Sequence, residues 1–62
     1  MEASIDPRCS KPLDAGTKCD QPEETRYGYK KGKGCVKFHY YGCGGNMNNF
    51  GNEDSCKRTC SA

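Results

Sequence analysis

The sequence predicts a small disulfide-rich α+β domain, a two-stranded antiparallel hairpin followed by a C-terminal helix. Three observations carry this. Six cysteines stand among 62 residues. Ile, Leu and Val together supply only three residues, Ile5, Leu13 and Val36. Apolar residues alternate from Val36 to Tyr40, and a capped segment with helical spacing of its cysteines closes the chain.

A chain of this length buries only about 60% of the surface its unfolded form exposes. Besides the three aliphatics, the residues available for an interior are Phe38, Phe50, Met47 and four tyrosines. Ordering costs roughly 1.5 kcal/mol per residue, and so little apolar area does not offset it. Cross-links must supply the difference. An even number of cysteines, nearly a tenth of all residues, points to disulfides formed in an oxidising compartment.

The same numbers exclude other classes. The length allows one domain at most, and no apolar run approaches the ~20 residues of a membrane span. No signal-peptide pattern is present, so the chain reads as a mature secreted, extracellular form, with Met1-Glu2-Ala3 outside the fold. Residues 1–5 are expected as a flexible arm and residues 6–62 as a single domain. Ten basic and eight acidic residues give a net charge of +2, too balanced for nucleic-acid or membrane binding. No Cys-x-x-Cys pair exists and His39 is the single histidine, so no metal site is expected. No cofactor is implied, and without a nucleophile constellation near His39 the chain does not read as an enzyme.

The elements follow in order. Asp6 caps a short helical turn with Pro7 at its first position, where a missing N–H is harmless. From Lys11 to Thr25, Pro12, Gly16 and Pro22 interrupt any period, which predicts an exposed loop anchored at Cys19. Arg26-Tyr27-Gly28-Tyr29 and the run from Cys35 to Tyr41 form a hairpin around Lys30-Lys31-Gly32-Lys33-Gly34. Alternation places Val36, Phe38 and Tyr40 on one face and Lys37 and His39 on the other. A Gly- and Asn-rich loop runs from Gly42 to Gly51, in which the Asn48 amide is expected to satisfy backbone groups. Asn52 then caps a helix with Glu53 and Asp54 in its first turn and Lys57 and Arg58 in its last, as the helix dipole prefers. Cys56 and Cys60 lie one turn apart on one face. Tyr27, Tyr29, Tyr40 and Phe50 read as core, and Tyr41 as exposed.

Six cysteines allow fifteen pairings, and their gaps of nine, fifteen, seven, twelve and three residues do not choose among them. The pattern around them is specific. Phe38-x-x-x-Gly42-Cys43, then Asn48-Asn49-Phe50, then Cys56 and Cys60, together with Gly42-Cys43-Gly44-Gly45-Asn46, resembles the Kunitz domain of pancreatic trypsin inhibitor. The resemblance runs from Cys9 to Cys60. It implies the bridges Cys9–Cys60, Cys19–Cys43 and Cys35–Cys56. It also implies a serine-protease inhibitor acting as a monomer, in which a rigid loop around the second cysteine enters the protease cleft. Binding is tight in such inhibitors because little freedom is lost on association.

Carried over residue by residue, the binding loop is Thr17, Lys18, Cys19, Asp20, Gln21, Pro22, Glu23 and Glu24, beside a secondary loop of Tyr41, Gly42, Cys43 and Gly44. Here the sequence departs from the family. Asp20 takes the pocket-filling position, where the carboxylate of a trypsin-like pocket repels it. Gln21 replaces a small residue, and Pro22 lacks the N–H of a substrate strand. The first cysteine gap is one residue longer than usual, Arg26-Tyr27-Gly28-Tyr29 sits one residue late, and the loop from Gly16 to Arg26 gains two residues. Tyr41 replaces a glycine, and Gly28 an aromatic residue. Inhibition of trypsin is therefore expected to be poor.

The first gap with Lys11-Pro12, Asp14, Cys19-Asp20 and Gly32-Lys33-Gly34-Cys35 looks more like tick anticoagulant-type Kunitz proteins. Some members of that group bind clotting proteases through the N-terminal segment, which makes Arg8 a possible arm contact and haemostatic or inflammatory proteases the expected targets. Arg8 and Lys18 read first as solvated basic side chains. Asp20, Glu23 and Glu24 read as an acidic patch facing a basic partner, or as ordinary loop polarity. The alternative function is a toxin-like ligand of another class. Lys30, Lys31, Lys33 and Lys37 would then face an ion channel, or Lys18-Cys19-Asp20 an integrin-type platelet or adhesion receptor.

Overall fold

The computed structural model describes residues 6–60. Along the chain stand a 3-10 helix Pro7–Ser10, β1 Thr17–Lys18, β2 Glu24–Lys30, β3 Gly34–Tyr40, β4 Gly42–Cys43 and α1 Glu53–Cys60. The expected arm, residues 1–5, lies outside the described residues.

The first turn forms as its residues require. The Asp6 carboxylate accepts the Arg8 N–H at 2.9 Å, and Pro7 occupies the position that has no donor to lose. The same carboxylate takes the Arg8 guanidinium in a fork, with Nε on Oδ1 and Nη2 on Oδ2, both at 2.9 Å. The guanidinium lies 5.6 Å from the centre of the Phe50 ring, so the turn is held against the core.

Strands β2 and β3 pair antiparallel from Glu24↔Tyr40 to Lys30↔Gly34. The turn closes by the Lys33 N–H donating to the Lys30 carbonyl at 2.9 Å, with Gly32 at φ +86°. The first strand is longer than expected, because Glu24 and Thr25 continue the ladder instead of belonging to the preceding loop. The second ends at Tyr40, one residue early, because the Tyr41 N–H leaves the sheet and donates to the Ala15 carbonyl at 2.9 Å. Val36, Phe38 and Tyr40 are half-buried while Lys37 and His39 are exposed, the alternation read from sequence.

The closing helix is capped by Asn52, whose Oδ1 accepts the Ser55 N–H at 2.8 Å. Lys57–Glu53 at 3.3 Å and Arg58–Asp54 at 3.1 Å line its outer face, while Cys56 and Cys60 are sealed inside. The bridges are Cys9–Cys60, Cys19–Cys43 and Cys35–Cys56, the pairing the resemblance implied. Their sulfurs largely are the core: Cys9, Cys56 and Cys60 are buried with Phe50, and Tyr27, Tyr29 and Cys35 pack against them. Phe50 is fixed by mutual backbone hydrogen bonds with Tyr27 at 2.7 and 2.8 Å.

Two expectations about the interior are corrected. Met47 is 63% exposed and contributes nothing to the core. Its neighbour Asn48 takes the inward place, 1% exposed, because it satisfies backbone groups that an apolar side chain would strand. Asn48 donates through Nδ2 to the carbonyls of Lys11 (2.7 Å) and Tyr29 (3.0 Å) and accepts the Tyr29 N–H at 2.8 Å. Tyr41, expected to be exposed, is half-buried beside the loops. The aromatic residue missing at Gly28 is replaced from another segment, since the Leu13 Cδ2 sits against the place a Gly28 Cβ would occupy.

Candidate functional site

The two loops singled out by sequence lie side by side. Cys19–Cys43 joins them, and a second small antiparallel sheet reinforces the bridge, with Thr17 opposite Cys43 and Lys18 opposite Gly42. The stretch from Lys11 to Thr25, expected to be a loop, thus holds the short strand β1 as well as the first two residues of β2. Flanking hydrogen bonds fix both ends. Asp14 Oδ1 accepts the Gly16 N–H at 2.9 Å, and the Tyr40 hydroxyl donates to the Gly44 carbonyl at 3.0 Å.

Gly42 shows why a small residue is required beside the bridge. Its φ is +121°, and an added Cβ would stand 2.9 Å from the Gln21 carbonyl oxygen. The secondary loop therefore packs directly on the backbone of the binding loop. Gln21 is held from the other side, where its N–H meets the Cys19 Sγ at 3.3 Å.

Charges within the loop are largely internal. Glu23 receives His39 Nε2 at 2.7 Å and Lys18 Nζ at 3.5 Å. The hydrogen bond from His39 holds the Glu23 carboxyl below its ordinary pKa, with the Lys18 charge adding to the effect. The His39 ring meets the Tyr41 ring edge-on, 4.8 Å between centres at 78°, and Lys18 Nζ lies 6.0 Å from the Tyr41 ring centre. Glu24 pairs with Arg26 at 3.0 Å. Arg26 in turn lies over Tyr40 at 4.7 Å and donates to Asn49 Oδ1 at 2.9 Å.

This changes the reading of individual residues. The sequence grouped Asp20, Glu23 and Glu24 as an acidic patch, but Glu23 and Glu24 are neutralised by cations of this chain. Among the described residues Asp20 makes no ion pair, and it stands exposed next to the bridging cysteine with Gln21 and Pro22. Lys18 is largely solvated, its side chain 76% exposed, with its Nζ near Glu23 and the Tyr41 ring. Arg8 is engaged by Asp6 and Phe50, away from both loops. His39, read as a plain surface residue of a strand, is the residue that the sequence did not connect to the site. The alternation put it on the outer face, but only the strand register and the path of the loop bring Glu23 to it.

The arrangement is a pair of tethered loops presenting backbone and a carboxylate to solvent. Known proteins share its sequence pattern and fold. A Kunitz-type serine protease inhibitor, superbin-2 of Austrelaps superbus, is 44% identical over 54 residues, 87% of this chain and 64% of its own length. The bumblebee inhibitor Bt-KTI of Bombus terrestris is 41% identical over 61 residues, 98% of this chain and 73% of its own. The chain thus spans less than two thirds of superbin-2. Among solved structures, calcicludine superposes with a TM-score of 0.83 at 27% identity, covering 94% of this chain and 95% of that one. Conkunitzin-S1, described as a Kunitz-type neurotoxin, superposes with a TM-score of 0.80 at 37% identity, with coverage of 94% and 95%. The model of the Kunitz/bovine pancreatic trypsin inhibitor domain matches residues 8–61, and the chain belongs to that family.

Proposed function

We propose that this chain is a secreted, monomeric Kunitz-type serine-protease inhibitor that binds through Thr17–Glu24 and Tyr41–Gly44 and discriminates against trypsin. The supporting observation is the loop pair itself, locked by Cys19–Cys43, by the short ladder and by the approach of Gly42 to Gln21. A surface already ordered before association loses little freedom on binding. The named inhibitor relatives support the same reading.

Asp20 sets the specificity. Placed over a pocket with a carboxylate at its floor, it meets like charge without solvent. Proteases of haemostasis or inflammation with a basic or neutral pocket are the expected targets. The tick-type resemblance in the first cysteine gap points the same way. Arg8 is tied to Asp6 and Phe50, which favours the loops over an N-terminal arm as the main contact.

The test is a panel of trypsin and haemostatic proteases against the chain and its Asp20→Lys variant. The substitution is expected to tighten trypsin binding by at least about a hundredfold, since it removes a like-charge contact worth several kcal/mol. Nanomolar inhibition of trypsin by the unaltered chain, lost in Asp20→Ala, would overturn the assignment.

A second reading has its own support. One structural neighbour, with a TM-score of 0.81 at 36% identity, is described among pore-modulating toxins that block K+ channels. Lys30, Lys31, Lys33 and Lys37 of the hairpin make no ion pair among the described residues. Channel block abolished by neutralising these lysines, with no protease inhibited, would select it. Inhibition of platelet aggregation would select the receptor alternative.

A further inference from the structure

The basic residues of this chain fall into two sets. Arg8, Lys18, Arg26, Lys57 and Arg58 are each paired with a carboxylate of the chain. Lys11, Lys30, Lys31, Lys33 and Lys37 are not, among the described residues. Three of these five, Lys11, Lys30 and Lys31, line one half-open groove of about 840 Å³ between the segment after the first turn and the end of β2.

The groove is apolar between its lysines. Leu13, Pro12, Cys9 and Tyr29 form its walls, with the polar side chain of Ser10 also at its lining. It is also rigid. The buried Asn48 side chain holds the Lys11 carbonyl and both backbone groups of Tyr29, and so ties two of the lining residues together. Leu13 reaches into the space above Gly28, which anchors one wall to the sheet. No residue of Thr17–Glu24 or Tyr41–Gly44 contributes to it.

We propose that this groove is a binding site for a small amphiphilic anion, an apolar chain ending in one carboxylate. Size, an apolar lining and a few convergent polar groups are the features of a ligand site. Charge complementarity selects the class. Three lysines that make no ion pair among the described residues line an apolar surface, so a neutral apolar ligand would forgo them. A bare inorganic anion would forgo the walls. A lysine is a point charge that accepts a carboxylate from several directions. The site is separate from the loop pair, so its occupation is compatible with a protein bound there.

The experiment is a titration followed by amide NMR, with decanoate kept below its aggregation range as the probe. Saturable shifts are expected at Lys11, Leu13, Tyr29, Lys30 and Lys31. Lys30→Gln with Lys31→Gln should weaken binding by about tenfold or more, the effect of losing a charge-assisted contact. Lys33→Gln with Lys37→Gln should leave it unchanged, since neither residue lines the groove. Inorganic phosphate and decyltrimethylammonium should each fail to reproduce the shifts. Equal shifts with phosphate, or equal weakening by both lysine pairs, would reduce the effect to unspecific charge and overturn the proposal. Absence of saturable shifts with decanoate would overturn it as well.

Discussion

The two ends of the molecule are held together by different means. At the helix end, Cys9, Cys56 and Cys60 are buried around Phe50, and the buried Asn48 side chain satisfies three backbone groups. At the loop end, Cys19 is exposed, the ladder is two residues long, and the ion pairs of Glu23 and Glu24 lie at the surface. Surface ion pairs contribute little to stability. Stability thus resides at the helix end, and the proposed function assigns recognition to the loop end, where the loop can change in length and charge without costing the fold. Asp20, Pro22 and the lengthened loop are changes of that kind.

The largest expected effect tests this division at its most buried polar group. Asn48→Ala strands two carbonyls and one N–H in half-buried surroundings and should lower stability by about 3–5 kcal/mol. Denaturant unfolding with all bridges intact measures it, and a loss under ~1 kcal/mol would undo the contrast.

Cross-links come next. In the chain-entropy picture the Cys19–Cys43 bridge contributes about 3 kcal/mol, yet its position should make it the first to open. Mild reduction followed by alkylation and mass analysis is expected to modify Cys19 and Cys43 ahead of the buried Cys9, Cys56 and Cys60. The hairpin and helix amide signals should persist in that species. Their collapse would show that the loop end supports the frame after all.

A smaller effect is expected at the contact between the loops. Gly42→Ala combines a positive φ with a close approach to Gln21 and should cost about 1–3 kcal/mol. Chemical-shift changes should concentrate on Gln21, Pro22 and Glu23, and protease affinity should fall by more than stability does.

The smallest effects are titrations. The fork from the Arg8 guanidinium lowers the Asp6 pKa to about 2. A carboxylate whose pKa is depressed by folding stabilises the fold above its unfolded pKa, near 3.9, and loses that contribution as pH falls through the folded value. The Asp6 carboxyl carbon should therefore titrate near 2 by NMR. Glu23, lowered by its hydrogen bond with His39, shares the sign. Glu23→Gln should barely change thermal stability yet displace the His39 and Tyr41 ring resonances.

Much of this molecule is legible in its residues because their signals are local. Asp6-Pro7 forms a capped turn, Asn52 starts a helix, and alternation from Val36 to Tyr40 sorts the faces of the sheet, each within a few residues of backbone. The scarcity of Ile, Leu and Val dictates cross-linking whatever the topology. The bridge pattern came through family resemblance, since spacing alone leaves fifteen possibilities.

Tertiary structure decided the rest. Whether Met47 or Asn48 turns inward depended on which backbone groups lay beneath the loop. Whether Glu23 faces a partner or its own His39 depended on a strand register and on the path of a lengthened loop. That Leu13 fills the space above Gly28, and that Lys11 shares a groove with Lys30 and Lys31, are likewise meetings of segments far apart in the chain. Composition and periodicity act between near neighbours, whereas charge pairing and polar satisfaction are settled only when distant segments come into contact.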